Sequence, residues 1–315
     1  MPSAPPPSQP SAARPAFTLA EVRERTYKKR DSWWTVLLVD PLAGPLVKVA
    51  ANRTSITPDQ LTLVALVLGL GSAACFWLAD WPWLVAGALL FHFSFVLDCM
   101  DGKIARLKGT GSMFGTWLDF ILDRVRVVLC SASLMGGQYL ATGEVLYVWL
   151  VSVVIGAELI RYLSAFNAAK VRRAMADRRA EWSERLRERF GGPEPAPAAP
   201  PAADDDPEAV GLADAPPTPA PGTLSARFPL YARMRAAMLR HRIRTHLVSG
   251  IELEMVVFVV APLLTGLWAA AIPVLTVGAA AALLLFEAVI IYGLWRATRA
   301  FDRDEKAARQ RLAAA

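Results

Sequence analysis

Four aspartates stand in two pairs whose spacing places each pair on one face of a helix. Asp98 and Asp101 are three residues apart, and Asp119 and Asp123 are four residues apart. Each pair lies at the end of an apolar block, and the short link 107–114 makes the two helices antiparallel neighbours, so the four carboxylates converge. Oxygen ligands of this kind select hard divalent ions such as Mg²⁺ or Mn²⁺ rather than zinc. Such ions can promote the transfer of a phosphate group.

Four carboxylates beside a membrane need compensating positive charge, since even one carboxylate at the bilayer centre costs roughly 2.5–3.5 kcal/mol on insertion scales. Divalent cations are one source of that charge, and a buried ion-pair network is the other. The basic residues available for such a network are Lys103, Arg106, Arg124 and Arg126. The small residues Gly102, Ala105 and Gly115 favour the metal site, because they leave room for a ligand that an ion-pair network would not need.

The elements that must position these residues are long apolar segments, and 54% of the chain is hydrophobic. Six segments are candidates for transmembrane helices, namely 61–79, 83–97, 114–134, 146–165, 247–264 and 267–295. Before them, the apolar segment 32–51 carries two tryptophans beside a basic run and is predicted to lie in the membrane interface, with a soluble amphipathic helix as the alternative. The sequence therefore predicts an all-α integral membrane protein with about six transmembrane helices and an N-terminal interfacial helix.

The distribution of Lys and Arg predicts the orientation in the membrane. The loops near 80–82, 136–144 and 265–266 contain neither residue, whereas the other connections are rich in them. Both termini and the four aspartates are therefore expected on the cytoplasmic side. The net charge of +6 does not indicate nucleic-acid binding, because the basic residues flank apolar blocks. The three cysteines lack CxxC spacing, so no zinc site is expected.

The organisation of the chain follows from these segments. A disordered tail at 1–17 and a juxtamembrane segment at 18–56 are predicted to precede membrane helices one to four at 57–170. A charged cytoplasmic helix at 171–190, a disordered Pro/Ala/Asp linker at 191–222 and a basic cytoplasmic helix at 223–246 are expected next. For the linker, a neutral spacer is favoured over a regulatory role. Membrane helices five and six at 247–298 and a cytoplasmic tail at 299–315 follow.

The region around the aspartates resembles a known family signature. The residues read D-x-x-D-G-x-x-A-R-x8-G-x-x-x-D-x-x-x-D from Asp98 to Asp123, and this is similar to the complete signature of the CDP-alcohol phosphotransferases. The matching positions are Asp98, Asp101, Gly102, Ala105, Arg106, Gly115, Asp119 and Asp123. The predicted plan of six spans behind an interfacial helix extends the resemblance over most of the chain outside the tail and the linker.

The resemblance implies a reaction in which the hydroxyl of a second alcohol displaces CMP from a CDP-linked alcohol, often CDP-diacylglycerol. It implies that Asp98, Asp101 and Asp119 hold Mg²⁺ or Mn²⁺, as two ions, with help from Asp123, and that Asp123 is also the general base. Gly102 and Ala105 would admit the cytidine, Arg106 would lie near the diphosphate, and Gly115 would belong to the same substrate-binding set. Glycerol phosphate, inositol phosphate, inositol and serine remain open as acceptors, the donor remains open too, and homodimers are common in such families.

Residues outside the motif give weaker indications. Arg161, and His241, Arg242, Arg244 and His246 before the fifth span, are candidates for binding a phosphate on the acceptor, with ordinary positive-inside flanking as the alternative. Glu252 and Glu254 are two residues apart, so at most one of them faces the site. His92 is expected to be a helix–helix contact. The rival function is a cation transporter that uses the same acidic cluster.

Overall fold

The computed structural model describes residues 16–191, 229–244 and 247–314, and the described chain is helical. Its isolated β-bridge joins Asp31 to Ile243. The helices are α1 (Leu19–Thr26), α2 (Thr35–Arg53), α3 (Pro58–Trp77), α4 (Trp81–Lys108), α5 (Met113–Thr142), α6 (Leu146–Phe190), α7 (Pro229–Arg240), α8 (250–264) and α9 (Ala271–Ala313). Each of the six predicted transmembrane segments falls largely within one of these helices, namely α3, α4, α5, α6, α8 and α9, which confirms the all-α membrane fold.

Five helices among the described residues have the length and apolar composition of membrane spans: α2, α3, α4, α6 and α9. The first of them, α2, was expected to be interfacial, yet its 19 residues are also long enough and apolar enough to span. α5 falls outside this set although its outer faces are apolar, and its first turns carry Asp119, Asp123, Arg124 and Arg126. A helix with so many charged residues must bury them against other helices, so these side chains are expected to face the interior of the bundle.

Helix ends follow local signals in the sequence. Thr57 forms a capping box with Gln60 at the start of α3, where Pro58 occupies the first turn. Ser112 caps α5 by accepting a hydrogen bond from the Gly115 N–H at 2.8 Å. The preceding helix α4 ends at Gly109, whose φ of 66° is left-handed. These caps fix the short turn that makes α4 and α5 antiparallel.

Two helices contain a π-helical turn immediately before an X-Pro pair. In α2 the turn Thr35–Val39 precedes Asp40-Pro41, and in α8 the turn Val256–Val260 precedes Ala261-Pro262. Proline has no N–H to donate and its ring clashes with the carbonyl four residues earlier, so the helix widens there instead of continuing its regular ladder. Thr35, in the first of these turns, lines the cavity that contains the aspartates.

Helix α3 packs against α4 and α5, and α4 also packs against α1, α2 and α8. Small residues permit close contact: a Cβ at Gly137 of α5 would lie only 2.6 Å from the carbonyl oxygen of Phe76. Buried hydroxyls join the helices as well, since Ser72 Oγ donates to the Gly87 carbonyl at 2.7 Å and Ser94 Oγ to the Ala65 carbonyl at 2.6 Å. These contacts fix the position of α4 relative to α3.

Several predicted boundaries differ from the observed ones. The predicted fourth span and the predicted charged helix at 171–190 form one continuous helix, α6, of 45 residues. α9 is one helix of 43 residues and includes most of the predicted tail 299–315. Beyond the apolar parts, Arg179 Nη2 of α6 lies 3.6 Å from Asp304 Oδ2 of α9. A charged sequence with good helix formers continues a span without interruption, and hydropathy alone cannot separate the two parts.

The segments around the two long helices also differ from the predictions. The basic helix expected at 223–246 is observed only as α7, which ends at Arg240, and Arg242 then takes a left-handed φ of 63°. The Asp31 N–H donates to the Arg242 carbonyl at 2.8 Å, so the chain after α7 is tied to the segment before α2. At the N-terminus, Phe17, the last residue of the predicted tail, exchanges hydrogen bonds with the Asn52 side chain, and residues 1–15 of that tail lie outside the described residues. The predicted linker 191–222 lies outside the described residues except for Gly191.

Candidate active site

All four aspartates of the motif line one cavity of about 460 Å³. Its walls come from the chain between α1 and α2, the beginnings of α3, α5 and α8, the end of α4, and the middle of α6. Oxygens of Asp98, Asp119 and Asp123 all lie within 4.8 Å of one another. Asp101 lies in the same cavity and accepts a hydrogen bond from Thr62 Oγ1 of α3 at 2.5 Å. The antiparallel pairing of α4 and α5 thus brings the carboxylates together as the spacing indicated.

The residues of this cluster fit a divalent cation. The donor set consists of carboxylate oxygens, which are the preferred ligands of Mg²⁺ and Mn²⁺. Asp119 Oδ1 is buried and accepts no hydrogen bond from the described residues. A buried carboxylate oxygen without a partner is costly, and a bound cation would remove that cost.

One arginine compensates part of the charge of the cluster. Arg126 Nη2 lies 2.8 Å from Asp123 Oδ1, and Arg126 Nη1 lies 3.5 Å from Asp98 Oδ1 and 3.1 Å from Ser94 Oγ. The side chain of Arg126 is only 2% exposed. The buried ion pair that the sequence offered as one alternative therefore exists, and one guanidinium does not balance the charge of four carboxylates.

The other three basic residues considered as compensators bind elsewhere. Lys103 Nζ lies 3.1 Å from Asp40 Oδ1 in a pair with both side chains 5% exposed. Arg106 Nε donates to the Thr26 carbonyl at 3.1 Å. Arg124 lies 4.0 Å from Asp123 but much closer to two glutamates of other helices. Arg126 is therefore the nearest basic partner of these aspartates, while Lys103, Arg106 and Arg124 line the same cavity but make their closer contacts with other groups.

The small residues of the motif occupy two different environments. A Cβ built on Gly102 would meet only the Arg106 guanidinium, at 3.4 Å, and Gly102 and Ala105 both line the cavity. A Cβ on Gly115 would lie 2.8 Å from Asp59 Oδ1 and 2.9 Å from Ser112 Oγ. Gly102 therefore leaves its free space to the cavity, whereas Gly115, which also lines the cavity, permits the close approach of α3 and α5.

Sequence reasoning missed Glu158 and Tyr162, which form a polar group with Arg124 and Glu254. Arg124 Nη1 donates to Glu158 Oε2 of α6 at 2.7 Å, and its Nη2 donates to Glu254 Oε1 of α8 at 3.3 Å. The guanidinium carbon lies 4.1 Å from the ring centre of Tyr162, which lines the cavity together with Glu254. Glu158 stands within an otherwise apolar predicted span, and that costly placement was a signal that could have found it.

The remaining predicted residues lie away from the lining. Arg161 is not among the lining residues and lies 3.4 Å from Glu287 of α9. Glu252 caps α8 by accepting the Ser249 N–H at 2.8 Å, so only Glu254 of that pair faces the cavity, as the spacing indicated.

Arg242 pairs with Asp40 at 3.1 Å and Arg244 donates to Ser249 Oγ at 3.2 Å. His241 is exposed, His92 meets the Trp34 ring edge-on across a helix contact, and His246 lies outside the described residues.

Comparison with known proteins agrees with the motif. Residues 55–191 match the family model described as CDP-alcohol phosphatidyltransferase. The chain is 31% identical over 107 residues to a bifunctional IPC transferase and DIPP synthase of Aquifex aeolicus, covering 34% of this chain and 23% of the relative. It is 35% identical over 89 residues to a phosphatidylinositol phosphate synthase of Corynebacterium glutamicum, covering 28% and 37%. It is 35% identical over 122 residues to an archaetidylinositol phosphate synthase of Aeropyrum pernix, covering 39% and 58%. In each case the match spans less than two thirds of the relative.

Proposed function

Because residues 55–191 form a domain of the CDP-alcohol phosphatidyltransferase family, we propose that this chain transfers a substituted phosphate group, most simply phosphatidyl, from a CDP-alcohol to the hydroxyl of a second alcohol and releases CMP. The observation that carries the proposal is the convergence of Asp98, Asp101, Asp119 and Asp123 in one cavity. The donor is CDP-diacylglycerol or another CDP-alcohol, and the product is a phospholipid or its precursor.

The metal ligands of the proposed site are Asp98, Asp101 and Asp119, with Asp123 contributing a further oxygen. Two Mg²⁺ or Mn²⁺ ions held there would neutralise the diphosphate of the donor and the charge that develops during transfer. The unpartnered oxygen of Asp119 and the spacing of its neighbours within 4.8 Å support this assignment.

Asp123 is the proposed general base. Its Oδ1 is held by Arg126 at 2.8 Å, which leaves Oδ2 to accept the proton of the acceptor hydroxyl. The leaving group is CMP, and its departure breaks the bond between its phosphate oxygen and the phosphorus that the acceptor oxygen attacks. Arg126 therefore acts as a positioning residue that holds Asp123 between the donor and the acceptor.

The donor-binding side of the cavity is proposed to be α4. Gly102 and Ala105 leave space for the cytidine, and Arg106 faces the cavity near the position of the diphosphate. The apolar outer surfaces of the helices suit a donor with a lipid tail. The basic connections support a cytoplasmic position for the cavity and for both termini.

The test uses the purified protein in lipid nanodiscs with Mg²⁺, labelled CDP-diacylglycerol and a panel of acceptor alcohols. We expect release of CMP, formation of a new lipid, and loss of both with EDTA. Asp123→Asn is expected to lower the rate by about 10²–10⁴-fold, the usual contribution of a general base. The matched control is Asp80→Asn, because Asp80 is an exposed carboxylate at the opposite end of α4.

Two results would count against the proposal. If Asp123→Asn released CMP at the full wild-type rate, Asp123 would not be the general base. Cation flux into liposomes without CMP release from any donor would favour the rival function of a cation transporter.

A further inference from the structure

The wall of the cavity beyond Asp123 is formed by α5, α6 and α8 and carries Arg124, Tyr162, Ile251 and Glu254. The donor-binding residues proposed above belong to α4. A hydroxyl that gives its proton to Asp123 must therefore approach from the α5, α6 and α8 side. This wall, which we call the acceptor wall, is where the rest of the acceptor molecule would lie.

The arginine on the acceptor wall is already bound by two carboxylates. Arg124 donates to Glu158 at 2.7 Å and to Glu254 at 3.3 Å, and these glutamate side chains are 6% and 3% exposed. The Tyr162 ring covers one face of the guanidinium at 4.1 Å. Both terminal nitrogens of Arg124 are thus bound by glutamates of the protein, and one face of its guanidinium is covered by a tyrosine ring.

Other arginines near this wall are engaged in the same way. Arg126 is shared between Asp98 and Asp123. Arg161, one turn after Glu158 on α6, pairs with Glu287 at 3.4 Å, and both side chains are nearly inaccessible. The other cationic residues that line the cavity belong to different elements: Lys28 precedes α2, while Lys103 and Arg106 lie on α4. Around Arg124, two carboxylates, those of Glu158 and Glu254, therefore face one guanidinium.

The two carboxylates that bind Arg124 affect which charge the acceptor can carry. A phosphate monoester carries about −1.5 to −2 charges at neutral pH and is normally bound by arginines free to donate to it. Here a phosphate would have to compete with Glu158 and Glu254 for Arg124. It would also lie beside Glu254, which lines the cavity, and unfavourable contacts between like charges cost several kcal/mol. An uncharged polyol, or an alcohol bearing an amine, meets no such repulsion.

We infer that the acceptor is an unphosphorylated alcohol, and that Glu158 and Glu254 determine this specificity by neutralising Arg124. The inference rests on the proposed function, since it assigns the second substrate of that same reaction. Glu254 faces the cavity and excludes a phosphate directly. Glu158 is a positioning residue that acts through Arg124.

The test compares acceptors in pairs that differ by one phosphate, with CDP-diacylglycerol as donor: glycerol with glycerol 3-phosphate, inositol with inositol phosphate, and serine with phosphoserine. The wild-type protein is expected to give a kcat/KM for the unphosphorylated member of its preferred pair that is higher by at least roughly tenfold. A preference for the phosphorylated member would overturn the inference while leaving the proposed function intact. Absence of CMP release with every acceptor would overturn both.

The role of the two glutamates is tested by a ratio: kcat/KM for the unphosphorylated acceptor divided by kcat/KM for the phosphorylated acceptor of the same pair. Glu254→Gln and Glu158→Gln are each expected to shift this ratio toward the phosphorylated acceptor, because both free Arg124. A merely structural role would lower both values together and leave the ratio unchanged, and that result would overturn the assignment of these residues. Glu144→Gln is the matched control, since Glu144 is exposed in the turn before α6. The wild-type ratio needs no variant, so the inference can be tested even if one variant fails to fold.

Discussion

Arg126 Nη2 and Asp123 Oδ1 lie 2.8 Å apart on the same face of α5, in a position where both are largely removed from solvent. The same guanidinium reaches Asp98 of α4 at 3.5 Å. A fixed cation thus stands at one edge of the proposed metal site and joins the two helices that form it. Its charge is present whether or not a metal is bound.

The first prediction concerns this fixed cation. Replacing Arg126 by Met leaves two carboxylates without their partner, and loss of one partner of a buried pair costs about 3–5 kcal/mol. We expect a marked fall in thermal stability in EDTA, measured on the protein in nanodiscs, and partial recovery when Mg²⁺ is added, because a divalent ion can replace some of the missing charge. Arg126→Lys keeps the charge and serves as the control. An equal loss with EDTA and with Mg²⁺ would contradict a metal site at these carboxylates.

The second prediction separates two glycines of the motif. Gly102→Ala is expected to leave stability unchanged, because the new methyl group meets only the Arg106 guanidinium at an ordinary contact distance of 3.4 Å. If the donor occupies that space, kcat/KM for the CDP-alcohol should fall by roughly 10–200-fold, the usual effect of one methyl group in a fitted pocket.

Gly115→Ala provides the comparison, because its methyl group would clash with Asp59 and Ser112. We expect that change to lower stability as well as activity. Unchanged donor kinetics in Gly102→Ala would exclude Gly102 from the donor site.

The third prediction concerns the buried pair of Lys103 and Asp40, which joins α4 to α2 at 3.1 Å. Lys103→Met should lower the free energy of unfolding, by less than the about 3–5 kcal/mol of a fully uncompensated buried charge, because Asp40 keeps Arg242 as an ionic partner. Adding Asp40→Asn should recover part of the loss, which a double-mutant cycle measures. The exposed pair of Arg185 and Glu181 is the control, since breaking it should cost only about 0.3–0.5 kcal/mol. If the changes in unfolding free energy of Lys103→Met and Asp40→Asn simply add in the double variant, the interaction between the two side chains contributes nothing to stability.

The fourth prediction concerns helix packing. A methyl group at Gly137 would lie 2.6 Å from the Phe76 carbonyl oxygen, and the backbone there cannot yield cheaply. Gly137→Ala is therefore expected to destabilise the protein by about 1–3 kcal/mol. Gly156→Ala is the matched control, because a Cβ there meets no neighbouring atom within 4 Å. Thermal unfolding of the two variants checks the difference, and equal midpoints would show that α3 and α5 are not in close contact at Gly137.

The sequence was sufficient to predict the helical membrane fold and the convergence of the aspartates. Both depend on local information, namely the lengths of the apolar segments and the spacing of Asp98, Asp101, Asp119 and Asp123 across a short turn. The choice of ionic partners was not predictable in this way. Arg124 lies next to Asp123 in the chain but bonds to Glu158 and Glu254, which are brought to it only when α6 and α8 pack.

The ends of the helices could not be predicted from the hydropathy pattern alone. A change from apolar to charged composition predicted the end of a membrane segment near 170, yet good helix formers on both sides allow α6 to continue to Phe190. Hydropathy describes the environment of a helix, whereas its termination requires a capping signal. The Gly191 that ends α6 is such a signal, and it lies twenty residues further on.

The unbroken length of α6 has a geometric consequence. Its 45 residues extend about 67 Å at 1.5 Å per residue, more than twice the roughly 30 Å of hydrocarbon in a bilayer. The outer half of this rod runs beside α9, to which Arg179 and Asp304 connect it. The same continuous helix that carries Tyr162 at the wall of the cavity and Glu158 beside Arg124 therefore also extends well beyond the hydrocarbon layer.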